Sequence, residues 1–276
     1  MIFNTHPVPE RHSKYIEAIF HYEHFIPDHS VERVVPTGHL FLIFELDGME
    51  RNTFDNETLK PNASFTRVWV SGMHKKYISI SAHRDSEMFV VQFKGHGAYP
   101  YFHFPIQEIN DKVIAAEEIL GSEILELHKE LKETTGKADK FSLAEKWLDS
   151  RFQDSKQPSE ELVKVIEALR KEPVGKHDEI TQSYPNTQKH LIDQFKKYAG
   201  LTPKYYQRIL RFNEIFQQMK TEQSVSWAQI AYQCGFSDQS HFIKEFKHFS
   251  GFNPEKFIQQ NYNPDEPNFF PLDREG

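Results

Sequence analysis

The chain has 276 residues, enough for two domains of ordinary size, and its 38% hydrophobic and 14% aromatic content excludes an intrinsically disordered protein. No apolar run approaches the roughly 18 residues that span a bilayer. The first fifteen residues hold no apolar stretch of signal-peptide type. The single cysteine, Cys234, leaves no room for an internal disulfide framework or a cysteine-based zinc site. A cytoplasmic, membrane-free protein is expected. The net charge of −7 divides unevenly: residues 161–262 carry 14 Lys and Arg against 11 Asp and Glu, and the remainder 19 against 29. A mildly basic C-terminal unit therefore follows an acidic one, a balance too slight to mark a nucleic-acid binder alone.

In chain order, residues 20–25 (FHYEHF) read as an aromatic-rich edge or early strand. Residues 39–47, 65–70, 77–82 and 88–93 are short, β-branched or aromatic and partly alternating, with turn-rich stretches between them. Such a series predicts a small antiparallel barrel or sandwich. From about residue 106 the period lengthens, and residues 108–120, 122–133 and 141–152 read as amphipathic helices, Gly121 separating the first two. Residues 153–160 (QDSKQPSE) form the best linker, with Ser159 or Pro158 opening a helix over 161–170. Most of the chain from there to residue 260 reads helical, and the tail 261–276, with three prolines, is expected to lack regular structure. The expected division is an N-terminal domain over 1–152, a linker over 153–160, a helical domain over 161–262 and a Pro-rich tail over 263–276.

The segment 226–250, SWAQIAYQCGFSDQSHFIKEFKHFS, holds the most informative pattern. Trp227, Ile230, Ala231 and Cys234 make an apolar stripe on a short helix, which Gly235 ends by allowing a sharp reversal. Asp238 is a natural N-cap for the next helix. There Phe242, Phe246 and Phe249 fall at i, i+4 and i+7 and face the core. The opposite face presents Ser240, Lys244 and Lys247, with Gln239 and His241 towards its edges. An apolar back and a polar, partly basic front are what a recognition helix requires, since Gln bonds bidentately to adenine and Lys reaches guanine or phosphate. Pattern alone fits any helical hairpin with a solvated face equally well.

The particular residues separate the two readings. Gly235-Phe236, Ser240-His241-Phe242, Phe246-Lys247 and the Gly-x-x-Pro-x-x-Phe run from Gly251 to Phe257 closely resemble the second helix-turn-helix of the AraC/XylS family of transcription activators. That family carries two such units, and residues 191–206 repeat the closing half, Phe195-Lys196 and then Gly200 to Tyr206, with Leu191 lying 51 residues before Phe242. The helix 203–220 resembles the family's central helix, a rigid spacer with Ile209, Leu210, Phe212 and Phe216 buried. The resemblance implies recognition helices at 187–198 and 238–249 entering adjacent major grooves of duplex DNA, about 34 Å apart. The implied DNA-contacting residues are Gln188, Lys189, Asp193 and Lys197 on the first, and Gln239, Ser240, His241, Lys244 and Lys247 on the second. The upstream copy departs from the pattern. A 51-residue shift places Ile180 and Tyr184 where a small residue and a glycine are usual, and Asp193 stands at a position that is commonly polar or basic. An acid there accepts only from cytosine N4 and repels phosphate, so less base readout is expected of the first unit.

Residues 33–44 and 92–100 are similar to an uncharacterised sensor-like domain that precedes this unit in some AraC-type regulators, although Pro36-Thr37-Gly38 replaces the usual Pro-Asp-Gly. That resemblance implies a cupin-like β-barrel followed by helices, hence an α+β protein with an all-α C-terminal domain. It leaves open a small-molecule effector, RNA polymerase and a second copy of the chain as partners. The apolar residues between 114 and 127 serve either a dimer contact or packing on the protein's own barrel. No cofactor is expected. His39, His74, His83 and His96 stand apart from any His-x-His ligand spacing, so a metal-dependent cupin-like enzyme with a helical appendage is the weaker alternative. A DNA-alkyl-transfer enzyme lacks its nucleophilic cysteine, because Cys234 lies at a buried turn. A ligand-independent DNA-binding or interaction protein is the remaining rival.

Overall fold

The computed structural model describes residues 1–221, 226–258 and 268–273. Strands fill the first hundred residues, as their β-branched and aromatic content requires. They are β1 (Ile2–His6), β2 (Ile16–Phe25), β3 (Val31–Val34), β4 (Leu40–Glu45), β5 (Arg51–Phe54), β6 (Pro61–Phe65), β7 (Val68–Ser71), β8 (Ile78–Ser81) and β9 (Ser86–Phe93), with a short helix α1 (Glu10–Ser13) between the first two. Helix α2 (Tyr99–Phe102), a 3-10 turn at Ile106–Ile109 and β10 (Val113–Ala115) lead into α3 (Ala116–Leu120), α4 (Glu123–Glu133) and α5 (Lys137–Arg151). After a 3-10 turn at Asp154–Lys156 come α6 (Glu160–Lys171), α7 (His177–Thr181), α8 (Gln188–Ala199), α9 (Pro203–Thr221), α10 (Trp227–Gln233), α11 (Gln239–Ser250), α12 (Pro254–Ile258) and β11 (Phe269–Pro271).

The strands form two antiparallel sheets, ordered β1-β2-β9-β4-β7-β10 and β11-β3-β8-β5-β6. The expected barrel is thus an open two-sheet arrangement. Alternation along each strand sorts the side chains of the six-stranded sheet onto two faces. One face, with Leu42, Phe44, Phe89, Val91 and Phe93, packs on the helical layer: Phe89 lies 5.3 Å from Phe141, and Phe93 lies 5.4 Å from Tyr101. The other, with Phe20, Phe41, Ile43, Trp69 and Val90, looks toward the five-stranded sheet across a cavity.

Two expectations need correction. Residues 108–120 are not one helix. Asn110 leaves the 3-10 turn extended, and β10 then pairs with β7, Ile114 opposite Val70, before α3 begins. The apolar spacing there fills a sheet edge and two short turns rather than one helical face. The tail is not wholly irregular either: Phe269–Pro271 pairs antiparallel with β3, while residues 261–267 and 274–276 lie outside the described residues. Of the two roles weighed for residues 114–127, packing on the protein's own core is observed, with Leu120, Ile124 and Leu127 buried there.

The linker segment is docked. Gln157 accepts a hydrogen bond from Tyr15 at 2.7 Å and its carbonyl accepts one from Tyr198 at 2.9 Å, while Ser159 caps α6. One hydrophobic cluster consequently runs from the sandwich into the C-terminal helices. Glu17 on β2 strengthens this contact by pairing with Arg170 on α6 at 2.9 Å. The His39 ring beside it, and then Arg170, hold the Glu17 carboxyl down at about 2. A depressed carboxylate stabilises the fold above its unfolded value of 4.5 and loses that contribution as pH falls towards 2. Glu17→Gln is expected to flatten the stability profile across that acid range while changing little of its shape above pH 5, as read from urea midpoints.

Candidate nucleic-acid interface

Two helical pairs, α7–α8 and α10–α11, flank α9, whose 19 residues span about 28 Å at 1.5 Å per residue. The recognition helices repeat at an offset of 51. Their N-caps Thr187 and Asp238 accept from the amides of His190 (3.2 Å) and His241 (2.8 Å). Leu191 and Phe242, Phe195 and Phe246, and Tyr206 and Phe257 are buried pairs, and both helices end at a left-handed glycine, Gly200 and Gly251. Their preceding helices, however, begin at His177 and Trp227 and so repeat at 50. From the start of its leading helix to the start of its recognition helix, the first unit is one residue shorter than the second. Buried Thr181 therefore takes the place of Ala231, and buried Tyr184 that of Cys234. The small residue is present after all, one position beyond Ile180. Gly235 turns the second unit at φ 69°, whereas none of residues 182–187 takes a positive φ, so the first turn needs no glycine. Tyr184 instead stacks on His190 and meets its Nδ1 at 2.9 Å.

On α11 the apolar back is complete: Phe242, Phe246 and Phe249 are fully buried, and Phe212 of α9 lies 5.7 Å from Phe246 and 5.1 Å from Phe249. Arg208 of α9 braces the helix by a two-pronged pair with Glu245 at 2.9 and 2.7 Å, which removes the acid from the front. Gln239, Ser240, Lys244 and Lys247 are all exposed. His241 is exposed but turned to the helix start, with its ring against Phe236 and its Nδ1 3.2 Å from the Ser237 hydroxyl.

On α8, Gln188, Lys189 and Asp193 are exposed, but Lys197 points elsewhere. Its ammonium lies 4.7 Å from the ring centre of Tyr99 in the N-terminal domain and 5.1 Å from that of Tyr198. The sequence reading passed over Tyr232, which is 84% exposed on α10 beside the second turn. Its only signal is its place on the outer face of a helix whose inner face holds Ile230 and Ala231.

The cavity between the sheets measures about 330 Å³ and is walled largely by aromatic and aliphatic side chains, among them Phe20, Phe41 and Trp69. In its wall Arg51 Nε bonds buried Glu45 at 2.9 Å and its Nη2 bonds Asp47, while the Trp69 indole donates to Glu45 at 2.7 Å. Burial outweighs Arg51 and Trp69 and pushes Glu45 up to about 7. The four histidines disperse. His74 meets Ser71 and His83 meets Ser81, His96 Nε2 lies 3.0 Å from the Lys14 carbonyl, and His39 lies 3.6 Å from Glu17. Among the described residues no three His, Cys, Asp or Glu side chains gather as a metal site would require.

The C-terminal helices form paired helix-turn-helix units on a common spacer, each with an apolar back and a solvated front. A model of a helix-turn-helix domain matches residues 186–260, and one of a domain of unknown function, DUF6597, matches residues 5–115. The HTH-type transcriptional regulator ArgR of Pseudomonas aeruginosa is 32% identical over 129 residues, 46% of this chain and 39% of that protein. The match thus spans well under half of ArgR. An uncharacterized HTH-type transcriptional regulator, YbfI of Bacillus subtilis, is 28% identical over 227 residues, 78% of each chain. The crystal structure of ToxT from Vibrio cholerae O395 superposes with a TM-score of 0.44 at 13% identity, over 87% of this chain and 97% of that one. Residues 186–260 thus match a helix-turn-helix domain, and residues 5–115 match a domain of unknown function. No helix among the described residues is long and apolar enough to cross a membrane.

Proposed function

We propose that the protein reads duplex DNA chiefly through α11, with α8 fixing its register on the backbone, and that a small, mostly apolar molecule in the N-terminal cavity controls it. The observation that carries the first half is the division of α11 into three fully buried phenylalanines and an exposed Gln239, Ser240, Lys244 and Lys247. A helix so anchored presents an amide and two ammonium groups to a groove at little entropic cost. The α9 spacer, on the order of one DNA turn in length, supports simultaneous entry of both helices into neighbouring major grooves. Exposed Asp193 and the diversion of Lys197 onto Tyr99 leave α8 with Gln188 and Lys189, which supports its positioning role. The cavity is at the small end of ligand pockets and has the apolar walls such pockets share. The protein acts by binding, in the cytoplasm, where its target lies. RNA polymerase and a second copy of the chain are its further proposed partners.

Selection of bound sites from random duplexes supplies the specific target for the test. Gln239→Ala and Lys244→Ala are then expected to weaken the selected site by about 1–3 kcal/mol each, and to weaken unrelated duplex far less. Equal losses on both would reduce these residues to phosphate contacts and overturn the assignment of base readout to α11.

A further inference from the structure

The wall between the cavity and the second helix-turn-helix unit is the edge of the five-stranded sheet, β3 with β11. In its register Phe269 faces Val34, Phe270 faces Arg33 and Pro271 faces Glu32. Alternation sends opposed residues to the same side. Glu32, Val34 and Phe269 line the cavity. Arg33 and Phe270 go the other way. Arg33 stacks 4.5 Å from the ring centre of Phe252, and Phe270 lies 4.9 Å from Phe257, 5.8 Å from Phe216 and 6.2 Å from Phe252. Asn268, also on the cavity wall, donates to Asn213 of α9 at 2.9 Å, and Asn213 donates to the Pro36 carbonyl at the cavity rim at 2.9 Å. The far end of β11 is pinned separately. Asp273 accepts from the amides of Ser30 (3.0 Å) and Val31 (2.8 Å) and from the Ser30 hydroxyl.

We propose that β11 couples the wall of the N-terminal cavity to the second helix-turn-helix unit, so that what fills the cavity sets how tightly α11 and α12 are held. A molecule that displaces Phe269 moves a strand whose next residue is built into the core beneath α11. The first helix-turn-helix unit touches the N-terminal domain through α8, at Tyr99 and Asn110, and has no such strand among the described residues. Control therefore falls on the unit that carries the reading face.

This inference rests on the proposed role of the cavity, but its test contains no ligand. Asp273 is exposed and makes no contact with α11 or α12 among the bonds described, so Asp273→Ala leaves both cores intact. Amide hydrogen exchange on the full-length variant is expected to be about tenfold faster or more in β3, and also faster in α11 and α12, than in the parent chain. Faster exchange confined to β3 would overturn the coupling, and so would unchanged exchange throughout. Phe269→Ala is the second variant: it removes part of the cavity wall alone and is expected to give the same distant increase. The effector reading fails separately, if an apolar naphthalene dye neither binds the parent chain nor raises its melting temperature.

Discussion

Phe242→Ala is expected to cost about 3–5 kcal/mol, the usual price of truncating a large aromatic that is wholly buried. Its ring lies 5.5 Å from Trp227, 5.4 Å from Phe236 and 5.8 Å from Phe246, so it joins both helices of the second unit to the turn between them. The neighbouring Phe246 ring cannot swing into the space it leaves, because Phe212, Phe216 and Phe257 already pack against it. The loss should be local. Hydrogen exchange should accelerate throughout α10 and α11, DNA binding should disappear, and the amides of β4 and β9 should keep their protection. Lys244→Ala, two residues away on the exposed face, provides the contrast: binding should weaken with the melting transition unchanged. An unaltered transition in Phe242→Ala would remove that residue from the core and, with it, the account of how α11 is held.

Arg51→Met is expected to be as damaging, for a different reason. It leaves two carboxylates, Glu45 and Asp47, buried without their shared cation, a loss of about 3–5 kcal/mol where one partner of a buried pair is removed. The cost should depend on pH, and its sign follows from Glu45. Burial raises this carboxyl from 4.5 to about 7, so the folded protein holds a proton that the unfolded chain releases earlier. The corresponding stability is full below pH 4.5 and drains as pH rises through 7. Without Arg51 the folded value moves higher still, and the drain deepens. The variant should therefore lie closest to the parent near pH 5 and furthest from it near pH 8, as read from denaturant midpoints. Adding Glu45→Gln and Asp47→Asn should recover much of the loss at pH 8. A flat difference across that range would show that Arg51 acts by packing alone.

The C-terminal half was legible because its signals are local. Caps, glycines and buried aromatics recur at a 51-residue offset, and each marks a helix end or a helix face through neighbours three or four residues away. The same regularity misled at Ile180 and Tyr184. A shift taken from the recognition helices does not carry back to a leading helix that starts one residue nearer, and Thr181 proves to be the small buried residue. In the N-terminal half the strands β4, β8 and β9 were visible from their alternation. The helix expected over 108–120 was not, since Val113–Ala115 is a three-residue strand whose only claim to the extended state is its pairing with β7. Nothing near Lys197 in sequence foretells Tyr99, and nothing near Phe270 foretells Phe216. The cavity has no local signature for the same reason: its walls come from nine strands, and partly buried residues such as Phe20 and Phe41 look like surface aromatics until the second sheet is placed opposite them.

The bonds that pin β11 join Ser30 to Asp273, 243 residues apart. During synthesis β3 therefore waits with an open edge while nearly the whole remaining chain is made, and every other strand of both sheets is available before its last neighbour arrives. An unpaired edge of this kind is a template for strands of other chains. Any shortened product that stops before residue 269 keeps that edge for good. Such fragments should self-associate through β3 even when their helices fold, and the ribosome's pace between β3 and β11 sets how long each nascent chain runs that risk.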